Sequence, residues 1–113
     1  MQIRPLLPAE MEQGLSLVRR VFDCFEAPDY SEEGTASFYS FLDLVPEQFA
    51  AGALHIWAAR KEDLLVGVLA LRDGCHICLL FVEPDFHRQG IARALVQTAA
   101  DFARENGQEQ LTV

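Results

Sequence analysis

Leu79-Leu80-Phe81-Val82-Glu83-Pro84-Asp85-Phe86-His87-Arg88-Gln89-Gly90-Ile91-Ala92-Arg93-Ala94-Leu95 is the stretch that decides the fold. Its first four residues close an apolar run suited to a buried strand, and Pro84 stops that strand. From Gly90 the period changes: Ile91, Leu95, Thr98 and Phe102 recur at helical spacing, with Ala94, Ala99 and Ala103 beside them. A strand therefore feeds a short polar loop that runs directly into a helix N-terminus. Such a junction presents unpaired backbone N–H groups and the positive end of the helix dipole, which together suit an anion. Gly90 has no Cβ to keep a bulky phosphate away from the backbone, and Arg88 and Arg93 add local positive charge. One glycine is too few for a Walker A loop or a dinucleotide fingerprint.

Working outward, Cys75 to Val82 follows Asp73-Gly74, a strong hairpin signal, and Leu64 to Leu71 before it is a Val/Leu-rich strand. Leu54 to Ala59 makes an earlier strand, separated from the next by the polar turn Lys61-Glu62-Asp63. At the N-terminus Ile3 to Leu6 predicts a short opening strand. Pro8 suits the first turn of a helix that runs to about Phe25, with Met11, Leu15, Val18, Phe22 and Phe25 as its apolar stripe. Ala27 to Tyr30 is a loop. A second helix is predicted from Thr35 as N-cap, with Phe38, Phe41, Leu42 and Val45 on one face, ended or kinked by Pro46. Asn106-Gly107 stops the third helix, and Gln110 to Val113 begins another strand. The order β-α-α-β-β-β-α-β predicts one α+β domain over residues 1–113, a three-layer α/β type with a mixed, mainly antiparallel sheet.

The 113 residues are half hydrophobic and 23% charged, which excludes intrinsic disorder. Nine basic against seventeen acidic residues give a net charge of -8. That balance argues against a nucleic-acid binder and favours cationic partners such as amines. No apolar run is long enough for a membrane span, and the opening Met1-Gln2-Ile3-Arg4-Pro5 carries no secretory pattern. Three cysteines, an odd number, then point to free thiols in a reducing cytoplasm.

Val82-Glu83-Pro84 followed by His87-Arg88-Gln89-Gly90-Ile91-Ala92 and Ala94-Leu95 resembles the acetyl-CoA motif of the GCN5-related N-acetyltransferase (GNAT) superfamily. That motif runs from Val-x-Pro through Arg/Gln-x-x-Gly-x-Gly/Ala into a helix, and His87 stands where the family more often has Arg or Gln. The opening strand, two helices and the hairpin through Val66-Gly67-Val68 also look like the family. The resemblance implies that the strand end, Leu80, Phe81 and Val82, pairs with the pantetheine amides of acetyl-CoA. It implies too that the N–H groups of His87, Arg88, Gln89, Gly90, Ile91 and Ala92 hold the CoA pyrophosphate. The implied activity is acetyl transfer to a primary amine of a small molecule or peptide. The rivals are a CoA-binding sensor without turnover and an inert interaction domain.

Direct attack of an amine on the thioester needs a base and an oxyanion donor. The candidate bases are Glu83, at the strand end, and His76; the candidate donor is the Val82 N–H. Strand alternation puts His76, Cys78, Leu80 and Val82 on one face unless a bulge intervenes. Cys75-His76-Ile77-Cys78 has metal-like spacing but no second ligand pair, so no metal site is predicted. Cys24 lies near the helical stripe and is assigned to the core. His55 and Trp57 share a strand face, and Asp29, Glu32 and Glu33 are candidates to attract an amine. Family members continue past the strand begun at Leu111 into a helix that commonly carries a tyrosine acid, and neither Tyr30 nor Tyr39 matches it. The domain is thus expected to be C-terminally incomplete, its open edge completed by more chain or by a second copy in a homodimer.

Overall fold

In the computed structural model, which describes residues 1–113, Asp73 and Gly74 both take positive φ, 56° and 75°. That is the backbone of a type I′ turn, whose twist matches the strands it joins. Four strands, β1 (Gln2–Pro5), β2 (Leu54–Lys61), β3 (Leu64–Arg72) and β4 (His76–Val82), lie in the order β1-β2-β3-β4. Every neighbouring pair is antiparallel. Three helices, α1 (Met11–Phe25), α2 (Glu32–Ala50) and α3 (Ile91–Glu105), cover the two faces. The last predicted strand is reduced to one parallel bridge, Thr112 to His76, so the sheet is antiparallel with a mixed edge.

The two faces carry separate cores. Under α1 and α2, Leu17, Val18, Phe22, Leu42 and Val45 meet Ile56, Val68, Leu79 and Phe81. Under α3, Ile91, Leu95 and Ala99 meet Trp57, Leu69, Ile77 and Val82. Gly67 sets the distance on that second face. A Cβ there would lie 3.1 Å from both Ile91 Cγ2 and Leu95 Cδ1, so only glycine lets the start of α3 sit this close to the sheet. Trp57 is buried on the same face and His55 is exposed beside it, their rings 5.2 and 4.5 Å from Phe102.

Several sequence expectations shift by local physics. α2 starts three residues earlier than Thr35, because Ser31 Oγ accepts the Gly34 N–H at 2.9 Å and caps it. The helix also runs through Pro46, which is exposed and forfeits only its own N–H. On α1 the buried face is Met11, Gly14, Leu17, Val18, Val21 and Phe22. Leu15 is only half-buried and Phe25 is exposed, because the small Gly14 turns the helix face onto Leu6 and Val68. Cys24 is exposed rather than in the core, one position off the packed stripe. The third helix ends as predicted: Gln108 N–H reaches Ala103 O and Gly107 N–H reaches Arg104 O, the paired bonds of a Schellman motif.

One buried charge ties the N-terminal elements together. Glu10, 7% exposed, accepts from Arg4 Nη1 and Nη2 at 3.0 Å each, from Arg60 Nε at 2.8 Å and from the Leu7 N–H at 2.9 Å. Burial pushes the carboxyl up, but these donors outweigh it and hold the group down at about 2. β1, α1 and β2 are pinned at that point.

Candidate active site

β4 is the last full strand of the sheet, so one of its sides has no strand partner along Cys78 to Val82. Val82 lies opposite Gly67, and the Glu83 N–H reaches Val66 O at 2.8 Å. Antiparallel alternation then makes Val68 with Phe81 a hydrogen-bonded pair, and leaves the N–H and C=O groups of Leu80 and Val82 pointing outward. Phe81, expected to share in cofactor binding, thus spends its backbone groups inside the sheet. The Val82 carbonyl is also occupied: His87 Nε2 donates to it at 2.9 Å. His87 therefore staples the turn to the strand end instead of aiming its ring at an anion.

A cleft of about 400 Å³ lies beside this edge, lined by Leu80, Val82, His87, Arg88, Gly90 and Arg93 among others. Its floor is the start of α3. Gly90 takes φ 80° as the N-cap, a left-handed conformation with open space where a Cβ would stand. The first intrahelical bond is Ala94 N–H to Gly90 O at 3.0 Å. The N–H groups of Ile91, Ala92 and Arg93 therefore have no acceptor within the helix. Arg88 and Arg93 enter no ion pair, so two free guanidiniums face a set of free donors. This is an anion site built from backbone and charge together.

Gln89 is spent elsewhere. Its Oε1 accepts from Lys61 Nζ at 2.9 Å, and Lys61 also lies 5.5 Å over the Phe86 ring. The β2–β3 turn thereby braces the loop from outside, a contact between distant segments that no local pattern announces.

The candidate bases part company. Glu83 is at the turn, but its Oε1 is 2.6 Å from Arg20 Nη1 on α1. His76 is at the opposite end of β4, its Nδ1 2.7 Å from Thr112 Oγ1. The shared face predicted for His76, Cys78, Leu80 and Val82 does not form. Ala70 pairs with Leu79 and Leu71 pairs with Ile77, so Cys78 is an extra residue, a β-bulge that switches faces at that point. Cys78 packs against the α1–α2 core, with Sγ 3.6 Å from Ala70 O, and burial pushes its thiol up. Cys24, Cys75 and Cys78 are all free thiols. Asp29, Glu32 and Glu33 are exposed outside the clefts, and Glu26 is the acidic residue that lines the groove beside β4. No helix is long and apolar enough to cross a membrane.

The family model of the acetyltransferase (GNAT) domain matches residues 26–113. Human N-acetyltransferase 8 is 36% identical over 64 residues, covering 49% of this chain and 28% of that protein. The chain thus spans little more than a quarter of that relative's length. A GCN5-related N-acetyltransferase from Rhodopseudomonas palustris superposes with a TM-score of 0.77 at 26% identity, over 94% of this chain and 67% of the other. The PaiA N-acetyltransferase of Thermoplasma acidophilum, solved with coenzyme A, gives 0.73 at 19% identity, over 94% and 73%. The second likeness is one of fold. With the family model covering most of the chain and the motif lying where the anion cleft is built, this chain belongs to the GCN5-related N-acetyltransferase family.

Proposed function

We propose that the chain transfers an acetyl group from acetyl-CoA to a primary amine. One observation carries this reading: the free edge of β4 at Leu80 and Val82 runs straight into the turn where unpaired N–H groups and the guanidiniums of Arg88 and Arg93 converge. His87, expected among the donors, spends its N–H on Pro84 O at 3.1 Å, so the CoA pyrophosphate is held along Arg88 to Ala92, and the pantetheine arm adds to β4 as a short extra strand. Leu80 offers both its N–H and its C=O. Val82 offers its N–H alone, since His87 holds its carbonyl. A homodimer formed through the same edge would occupy the same groups, so cofactor binding and pairing through β4 exclude each other.

In the reaction the amine lone pair forms a C–N bond to the thioester carbonyl, and the C–S bond breaks with its electrons leaving on the CoA sulfur. The proton lost by the amine balances the thiolate. An alkylammonium of pKa about 10.4 must first be deprotonated, whereas a thiol near about 8.5 is a tolerable leaving group without a dedicated acid. The Val82 N–H, kept for this step while the pantetheine arm pairs with Leu80, stabilises the oxyanion. Glu83 serves as base only once it leaves Arg20. His76 lines the groove on the other side of the strand with its Nε2 uncommitted, which supports it as the alternative.

Consumption of acetyl-CoA against a panel of primary amines tests the proposal. Amine-dependent release of CoA is expected. Binding of CoA without release under any amine would identify a sensor instead.

A further inference from the structure

On the α1–α2 side of β4 a second groove, of about 630 Å³, runs between the α1–α2 connection and the start of the strand. Tyr30, Phe38, Phe41, Leu79 and Phe81 wall it. The wall is a fixed aromatic cluster. Phe22 stacks under Phe38 at 4.0 Å, Tyr30 stands edge-on to Phe22 at 5.1 Å, and Phe38 lies 6.0 Å from Phe81. Three ionisable side chains other than Cys78 and Tyr30 touch it: Glu26, Arg72 and His76. Arg72 faces Asp73 at 3.9 Å, and His76 Nδ1 is engaged by Thr112. Glu26 alone enters no ion pair and no side-chain hydrogen bond. Leu80 borders both this groove and the anion cleft, so the two meet across the open edge of β4.

We infer that this groove admits the acceptor and selects a primary amine on an aromatic or branched aliphatic body, its ammonium held toward Glu26. The chemistry rests on the transfer reading above, but the selection resides in the groove itself. A flat apolar body gains by leaving water against the aromatic wall. A polyhydroxylated amine would give up more hydration against the apolar wall than the few polar side chains of the groove, Glu26, Arg72, His76 and the Tyr30 hydroxyl, could return. A polycation needs several carboxylates, and the groove supplies one. The net charge of -8 raises the local concentration of any cation, so Glu26 and the wall decide among them.

The test is equilibrium binding by calorimetry of 2-phenylethylamine, its neutral analogue 2-phenylethanol, spermidine and glucosamine, with and without saturating CoA. 2-Phenylethylamine is expected to bind at least about tenfold more tightly than spermidine or glucosamine. Glu26→Gln, an exposed change that leaves folding intact, should weaken 2-phenylethylamine by about fivefold and leave 2-phenylethanol unchanged. Phe41→Ser should weaken both. Equal or tighter binding of spermidine or glucosamine, no binding of 2-phenylethylamine in either condition, or no effect of Glu26→Gln would overturn the inference. Failure of the transfer reading is seen separately, as an absence of CoA binding in the same titrations.

Discussion

Gly67 on β3 and Ile91 at the start of α3 are in such close contact that a single methyl group on Gly67 would stand 3.1 Å from the Ile91 side chain. The consequence reaches the cleft, because Ile91 directly follows the N-cap Gly90 and carries one of the free N–H groups. Packing of one glycine thus sets where the anion-binding end of the helix sits relative to the strand edge.

Replacing Gly67 by Ala should destabilise the protein by about 1–3 kcal/mol, since both crowded neighbours are buried and must shift. Thermal unfolding should show a drop of several degrees, and CoA affinity should fall with it because α3 moves outward. An Ala variant with unchanged melting and unchanged CoA binding would remove Gly67 from this role.

Glu10 makes stability depend on acid. Its folded carboxyl is held near 2 against an ordinary value of 4.5. A depressed carboxyl contributes stability that is fully present above the unfolded value and is lost as pH falls from there toward the folded one. Denaturant titrations should therefore lose up to about 3 kcal/mol between pH 5 and pH 2 through this residue. Glu10→Gln should lower stability at neutral pH by about 3 kcal/mol, leaving Arg4 and Arg60 with an uncharged partner, and should flatten that part of the pH dependence.

Much of the architecture is legible in the chain because it rests on local signals. The Asp73-Gly74 turn, the Val/Leu run of β3 and the Asn106-Gly107 stop each need only neighbouring residues to act. The misplaced parts depend on distant ones. The bulge at Cys78 follows from how β4 is paired to β3, and nothing in Ile77-Cys78-Leu79 itself marks it. The fates of Glu83 and Gln89 are decided by Arg20 and Lys61, 63 and 28 positions away along the chain. The anion turn could be read from one motif, whereas the second groove draws residues from α2, α3, β3, β4 and the α1–α2 connection.

Thiol reactivity gives an independent check on the packing of Cys78. Cys24 is exposed, while Cys78 is half-buried with its thiol pushed up by burial. Maleimide labelling followed by mass spectrometry should modify Cys24 first and Cys78 last. Equal rates would contradict the packing of Cys78 against the α1–α2 core.

Glu83 and His76 should separate in kinetics. With Arg20 paired to Glu83 at 2.6 Å and exposed to solvent while Glu83 is half-buried, Glu83→Gln is expected to change stability by about 1 kcal/mol. If Glu83 is the base, its removal abolishes the acid limb of the pH–rate profile; if His76 is, that limb disappears in His76→Ala instead. Loss of the limb in neither variant would assign deprotonation to solvent.

Binding of the CoA pyrophosphate at the turn from His87 to Ala92, beside the open edge of β4, underlies the proposed reaction. Calorimetric titration of CoA into the natural sequence and into Gly90→Asp tests it most directly. The added side chain would have to occupy a left-handed N-cap at φ 80° and would bring negative charge to the free N–H groups of Ile91, Ala92 and Arg93. Measurable CoA binding is expected, falling by at least about a hundredfold in Gly90→Asp with the fold retained by circular dichroism. Undiminished CoA affinity in that variant would contradict it.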